Sequence, residues 1–149
     1  VVVDERLQQF EPTGEDVYTF GSNPVAQAVA LKVIEILERD RIPARAARMG
    51  EIFTQGLVAL QARYPQIGDI RGPGLFIGVE MVKDPGTKEP ASAEAKRIVA
   101  EAWKRGVILA TASAVPNVLK IKPPLIITEA EVATVLQVFE DSLKAVYAR

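Results

Sequence analysis

The sequence predicts an α+β fold, in which a small, mostly antiparallel sheet has helices packed on one side. Three observations predict it. The periodic segments follow one another as helix, helix, strand, helix, strand, strand, helix. The strand segments are short and bounded by turn formers. With 149 residues, of which 48% are hydrophobic and 25% charged, the chain has apolar material for one modest core.

The first two predicted helices form a pair. The first begins at Pro24 behind an Asn23 cap and runs to about residue 40, because Pro suits the first helical position and Asn accepts from free N–H groups. The second follows a junction near residues 42–43 and ends before Pro65. Its apolar residues recur every three or four positions and are predicted to lie in the core: Met49, Phe53, Leu57, Leu60 and Tyr64.

A turn and a strand come next. Pro73 and Gly74 at the second and third positions of a four-residue turn favour type II geometry. A strand over residues 75–82 and an exposed loop over 84–90 should follow. Gly72, Gly74 and Gly78 do not indicate a dinucleotide site, since their spacing is wrong and a strand follows where that motif needs a helix.

The third helix is predicted to begin with Ser92 as its cap and to end at Gly106. A short strand over residues 107–110 should follow. The helix carries one apolar stripe, which predicts core positions at Ala95, Ile98, Val99, Ala102 and Trp103.

Alternation in residues 118–122 predicts a strand with an apolar face and a cationic face. Leu119 and Ile121 fall on one side, while Lys120 and Lys122 fall on the other.

The last helix has the clearest start signal. Thr128 and Glu131 are spaced as a capping box. Its apolar stripe runs to the end of the chain and comprises Val132, Val135, Leu136, Phe139, Leu143 and Val146.

Composition excludes several functional classes. A net charge of −1 leaves no cationic excess for nucleic acid or a membrane surface, so neither partner is expected. The absence of Cys and His argues against disulfide frameworks, thiolate metal sites and His-dependent hydrolases. No apolar run approaches the roughly 18 residues of a membrane span. We therefore expect a soluble, cytoplasmic protein with no metal site.

No spacing of the polar residues identifies a reaction, but four ordered segments resemble a known family. They read TFGSNPVA at residues 19–26, RGPGLFIGVE at 71–80, RGVI at 105–108 and VLKIKPPLIIT at 118–128. Together they are similar to the C-terminal portion of class III aminotransferases. These are fold-type I pyridoxal-phosphate enzymes that include 4-aminobutyrate and ornithine types.

The resemblance implies a domain organisation. Residues 1–22 would be the end of the large cofactor-binding domain, and residues 23–149 would be the small domain with its connecting helix. The family lysine that holds the cofactor normally precedes this segment, and none of the eight lysines here stands in its context. The chain by itself is therefore expected to contain no catalytic residue and to be inactive. The full-length protein would be a homodimer that transfers an amino group from an ω-amino acid, such as a 4-aminobutyrate-like donor, or a related amine to a 2-oxo acid.

The resemblance also implies candidate site residues. Thr19, next to Phe20, matches the threonine that binds the phosphate of the partner subunit's pyridoxal 5'-phosphate. Lys120 stands where 4-aminobutyrate- and ornithine-type members carry an arginine for a substrate carboxylate. A lysine is a point charge without the bidentate fork of a guanidinium, which weakens any substrate assignment. The alternative for Lys120 is a solvated lysine on an exposed face of the sheet. Arg71 is predicted to be tied to nearby carbonyls or carboxylates.

Two other functions stay open at this point. The chain could be a binding or dimerisation module without catalysis, or part of an enzyme with another reaction on the same scaffold, such as a racemase, mutase, decarboxylase or lyase.

Overall fold

The computed structural model of the chain describes residues 23–112 and 114–147. The chain divides into two units, Val1–Arg39 and Asp40–Arg149. In the first, the structure describes helix α1, Pro24–Arg39. The Asn23 side chain accepts hydrogen bonds from the N–H groups of Val25 and Ala26 at 2.9 and 3.3 Å, which confirms the predicted start and cap. The domain boundary between residues 22 and 23 stays a prediction.

The described residues of the second unit form three helices and a four-stranded sheet, all of whose neighbouring strands are antiparallel. The strands lie in the order β1-β2-β4-β3. In chain order the elements are α2 (Ile42–Gln61), β1 (Ile67–Arg71), β2 (Ile77–Met81), α3 (Ser92–Lys104), β3 (Ala110–Thr111), β4 (Val118–Ile121) and α4 (Glu129–Tyr147). The α+β prediction is confirmed.

The core lies between one face of the sheet and the three helices of this unit. Phe53 of α2 and Phe139 of α4 are fully buried in it, as predicted. The sheet contributes alternate residues of β2 and β4, including Val79 and Leu119. The opposite face, here called the outer face, carries the polar residues of the strands and is the face on which Lys120 lies.

Strand β1 was not predicted, because its apolar residues do not alternate with polar ones as they do in a regular strand. A β-bulge between Ile67 and Asp69 shifts the register against β2. As a result Ile67 and Ile70, three positions apart, both pack against the core.

The turn between β1 and β2 is one residue later than predicted. The N–H of Phe76 donates to the Pro73 carbonyl at 3.0 Å, so Gly74 is the second residue of the turn, with a φ of +53°. A close approach to α2 determines this geometry, since a Cβ on Gly50 would lie 2.3 Å from the Gly74 carbonyl oxygen. Strand β2 is correspondingly shorter than the predicted span 75–82.

Helix α3 starts differently from the prediction. Its cap is Ala91, and no side chain caps it, so the prediction of a Ser92 cap was wrong. Ala91 is fully buried and donates its N–H to the Met81 carbonyl, so tertiary contact determines where the helix begins. Trp103 was also predicted wrongly, because the buried face follows Ala95, Ile98 and Ala102 and leaves Trp103 65% exposed.

The predicted stop at Gly106 is confirmed. Gly106 has a φ of +85°, and its N–H donates to Trp103 while that of Val107 donates to Ala102, the two bonds of a Schellman motif. Because Val107 still belongs to this motif, the predicted strand over 107–110 was misplaced. Strand β3 comprises only Ala110–Thr111.

Helix α4 begins with the predicted capping box. Thr128 donates its N–H to the Glu131 carboxylate at 2.8 Å, and Glu131 donates its N–H to the Thr128 hydroxyl at 3.3 Å. Further along, Glu140 joins α4 to the turn that follows α2 through two hydrogen bonds from Arg63, at 2.8 and 3.1 Å. The Arg63 guanidinium, followed by Lys144, lowers the pKa of Glu140 to about 2.

Candidate functional site

The candidate site is centred on Lys120 in β4, on the outer face of the sheet. Its backbone neighbours Leu119 and Ile121 are buried in the core, which confirms the predicted alternation. Across the strands Lys120 is paired with Gly78 of β2 on one side and Ala110 of β3 on the other. Residues directly opposite in an antiparallel pair project from the same face, so the lysine has two small neighbours.

The Lys120 ammonium has no partner within the part of the chain that the structure describes. No hydrogen bond or ion pair is formed by its side chain among residues 23–112 and 114–147, although Lys120 is half-buried. The other seven lysines, which are also described, are exposed. A partly shielded cation without a counter-ion is suited to bind an anion, since the attraction between charges increases as water is excluded.

Arg71 lies on the same face but is already neutralised. Its guanidinium donates to Asp69 at 2.5 Å and to Glu80 at 2.7 Å. The hydrogen bond to Asp69, followed by that to Glu80, raises the pKa of Arg71. The prediction that Arg71 is tied to nearby carboxylates is confirmed.

Lys122, the other cation predicted on this face, is exposed and lies over an aromatic ring. Its Nζ is 5.5 Å from the centre of the Phe76 ring. Lys122 also lines an open groove of about 700 Å³ together with Ile108, Pro123 and Ile126. Two residues of this groove, Ile108 and Ile126, are 77% and 68% exposed, so Lys122 has exposed apolar side chains beside it.

The remaining predicted site residues, Thr19 and Phe20, lie outside the described residues. Their roles stay predictions. The sequence alone did not identify Asp69 and Glu80 as the partners of Arg71, because the pairing depends on the register between β1 and β2.

The described residues do not fit pyridoxal phosphate by themselves. The cofactor needs a lysine together with a group that holds its ring nitrogen. Lys120 is the one lysine that is not exposed. Its directly opposite neighbours, Gly78 and Ala110, are not acidic, and its diagonal neighbour Glu80 is bound by Arg71. We therefore derive no chemical step from these residues.

Comparison with known proteins identifies the family. The aminotransferase class-III family model matches residues 1–143. The chain belongs to the class III aminotransferases. The match confirms, across almost the whole chain, the resemblance seen in four sequence segments. Members of this family depend on pyridoxal phosphate.

Individual relatives differ in the reaction that their names state. The chain is 36% identical over 146 residues to an isoleucine 2-epimerase of Lentilactobacillus buchneri, covering 98% of this chain and 32% of that protein. It is 40% identical over 144 residues to a taurine–pyruvate aminotransferase of Bilophila wadsworthia, covering 89% and 32%. The chain thus spans about a third of the length of the curated relatives it matches.

Solved structures support the fold. An aminotransferase from Bacillus anthracis matches with a TM-score of 0.81 and 34% identity, over 88% of this chain and 30% of that one. The architecture is thus that of the small domain of the aminotransferase fold. Among the described residues, no helix has the length and apolar character needed to cross a membrane.

Proposed function

We propose that this chain is the C-terminal part of a pyridoxal-phosphate-dependent aminotransferase. The full-length enzyme transfers an amino group from an ω-amino acid, such as a 4-aminobutyrate-like donor, or a related amine to a 2-oxo acid. The observation that carries the proposal is the family match over residues 1–143. The cofactor is bound chiefly by the large domain, which precedes this segment in the family. This agrees with the finding that the described lysines do not fit a site for pyridoxal phosphate.

Lys120 is the residue of this chain that binds substrate in the proposal. Its side chain is half-buried, lacks a counter-ion among the described residues and has the small residues Gly78 and Ala110 as its partners on the neighbouring strands. The names of the relatives are compatible with such a role, because taurine carries a sulfonate and both isoleucine and pyruvate carry a carboxylate. A lysine binds each of these as a point charge and imposes no bidentate geometry.

Thr19 is the residue that contacts cofactor, and it does so across a homodimer. A hydroxyl donates a hydrogen bond to a phosphate oxygen without adding charge. Phe20 follows it in the same segment and belongs to the same contact. The active enzyme is accordingly a homodimer, in which this chain completes the partner's site, and we place it in the cytoplasm.

A second candidate function is favoured by one relative. The isoleucine 2-epimerase matches 98% of this chain, so the alternative to amino transfer is a different reaction on the same scaffold. Epimerisation removes the proton from the carbon that bears the amine and returns it to the opposite face, so the nitrogen stays on that carbon, whereas amino transfer consumes a 2-oxo acid and releases a new one.

An amine-donor panel on the full-length protein distinguishes the two reactions. We expect a carboxylate-bearing ω-amino acid, mixed with pyruvate, to yield alanine in proportion to the donor consumed. The control is an L-amino acid without added 2-oxo acid, followed by chiral analysis. Loss of its optical purity without alanine formation from any donor would contradict amino transfer and favour epimerisation.

A further inference from the structure

Among the described residues, Arg71 on the outer face is paired with carboxylates, whereas Lys120 on the same face is not. The register pairs Arg71 with Gly78, and Gly78 with Lys120, so the two cations lie on either side of a residue without a side chain. Arg71 binds both Asp69 and Glu80, whereas Lys120 binds neither.

Glu80 carries the carboxylate that could form an ion pair with Lys120. It is paired across the strands with Val118, two positions from Lys120, so the two side chains are diagonal neighbours on one face. Diagonal neighbours lie about 7–8 Å apart at the backbone, a separation that long side chains bridge. Asp69 lies on β1, two strand spacings or about 10 Å from β4, and is a weaker competitor.

The Glu80 carboxylate is directed to Arg71 instead. Its Oε2 accepts from the guanidinium at 2.7 Å, and its side chain is 29% exposed while that of Arg71 is 50% exposed. The guanidinium also holds Asp69 at 2.5 Å, so a single arginine occupies both carboxylates of the β1–β2 pair.

We propose that Arg71 is a positioning residue for substrate binding, which keeps the Lys120 ammonium available by holding Glu80 away from it. This inference rests on the proposed role of Lys120 in binding the anionic group of the substrate. Arg71 itself does not contact substrate. Its removal releases Glu80, which then pairs with Lys120 and competes with the incoming anion.

The test uses Arg71→Gln and Arg71→Gln/Glu80→Gln in the full-length protein. We expect the single substitution to raise KM for a carboxylate-bearing amine donor by about two- to fivefold, the range of a partly exposed ion pair, with kcat unchanged. The double substitution is expected to return KM to the wild-type value, because the competing carboxylate is gone. A donor without an anionic group should show no change in KM with either variant.

Arg105→Gln is the matched control. Arg105 also donates to a carboxylate at 2.5 Å, that of Glu101, but the pair lies at the C-terminal end of α3 and away from the outer face. Its loss should leave KM unchanged. Arg71→Lys retains a charge for Glu80 and should restore most of the wild-type KM.

Two results would overturn the inference. One is an unchanged KM in Arg71→Gln. The other is a double variant no better than the single one, which would indicate general damage to the sheet. Both would leave the proposed function intact as long as the wild-type protein transfers the amino group. A wild-type protein that transfers none from any donor would contradict the proposed function itself, and this inference with it.

Discussion

Replacement of Lys120 by Ala in the full-length protein is expected to raise KM for a carboxylate-bearing amine donor by about 10- to 100-fold. The magnitude follows from the loss of a charge-assisted hydrogen bond, about 1.5–3 kcal/mol, at a half-buried position. An amine donor without an anionic group loses no such contact and should keep its KM. Steady-state kinetics with the two donors side by side measure the difference.

Lys122→Ala is the matched control for this experiment. It removes a lysine just after the same strand, but one whose ammonium lies over Phe76 and is exposed. Lys120→Arg tests the chemistry further, since a guanidinium offers a bidentate fork and should retain or improve carboxylate binding. If Lys122→Ala had the larger effect, or if Lys120→Ala raised both KM values equally, Lys120 would not be the anion-binding residue.

Replacement of Thr19 by Ala is expected to weaken retention of pyridoxal phosphate by about 10- to 100-fold. A hydrogen bond to a charged phosphate contributes about 1.5–3 kcal/mol, and the methyl group of Ala cannot donate one. Equilibrium dialysis of the full-length enzyme against limiting cofactor measures the change in Kd.

Two variants make this result specific. Thr19→Ser keeps the hydroxyl and should keep most of the affinity. Thr134→Ala removes a hydroxyl that donates to the Ala130 carbonyl of its own helix and has no other partner in the described part of the chain, so cofactor affinity should not change. Equal cofactor affinity in Thr19→Ala and wild type would remove Thr19 from the cofactor site.

The parts of the fold that the sequence predicted well are those set by local side-chain chemistry. Asn23 caps α1, Thr128 and Glu131 cap α4, and Gly106 ends α3, because in each case a side chain or a positive φ satisfies nearby backbone groups. Where a tertiary contact sets the start of a helix or the register of a strand, the sequence pattern did not predict it. Burial of Ala91 determined the start of α3, and a bulge obscured the period of β1.

The candidate site divides in the same way. Alternation along one strand was enough to put Lys120 on the polar face, and the turn motif was enough to connect Arg71 with nearby carboxylates. Which carboxylates these are, and that Lys120 has none among the described residues, depends on how three strands align. Strand register is fixed by the whole sheet and its core, so single-strand patterns do not determine it.

Borohydride reduction followed by peptide mapping locates the lysine that binds the cofactor. In the full-length protein, we expect pyridoxal phosphate to become fixed at one lysine that precedes Val1. The 149-residue chain alone, treated in the same way, should retain no cofactor on any of its eight lysines. Stable attachment to one of those eight lysines, or no attachment to the full-length protein, would show that this chain has been assigned the wrong part in the enzyme.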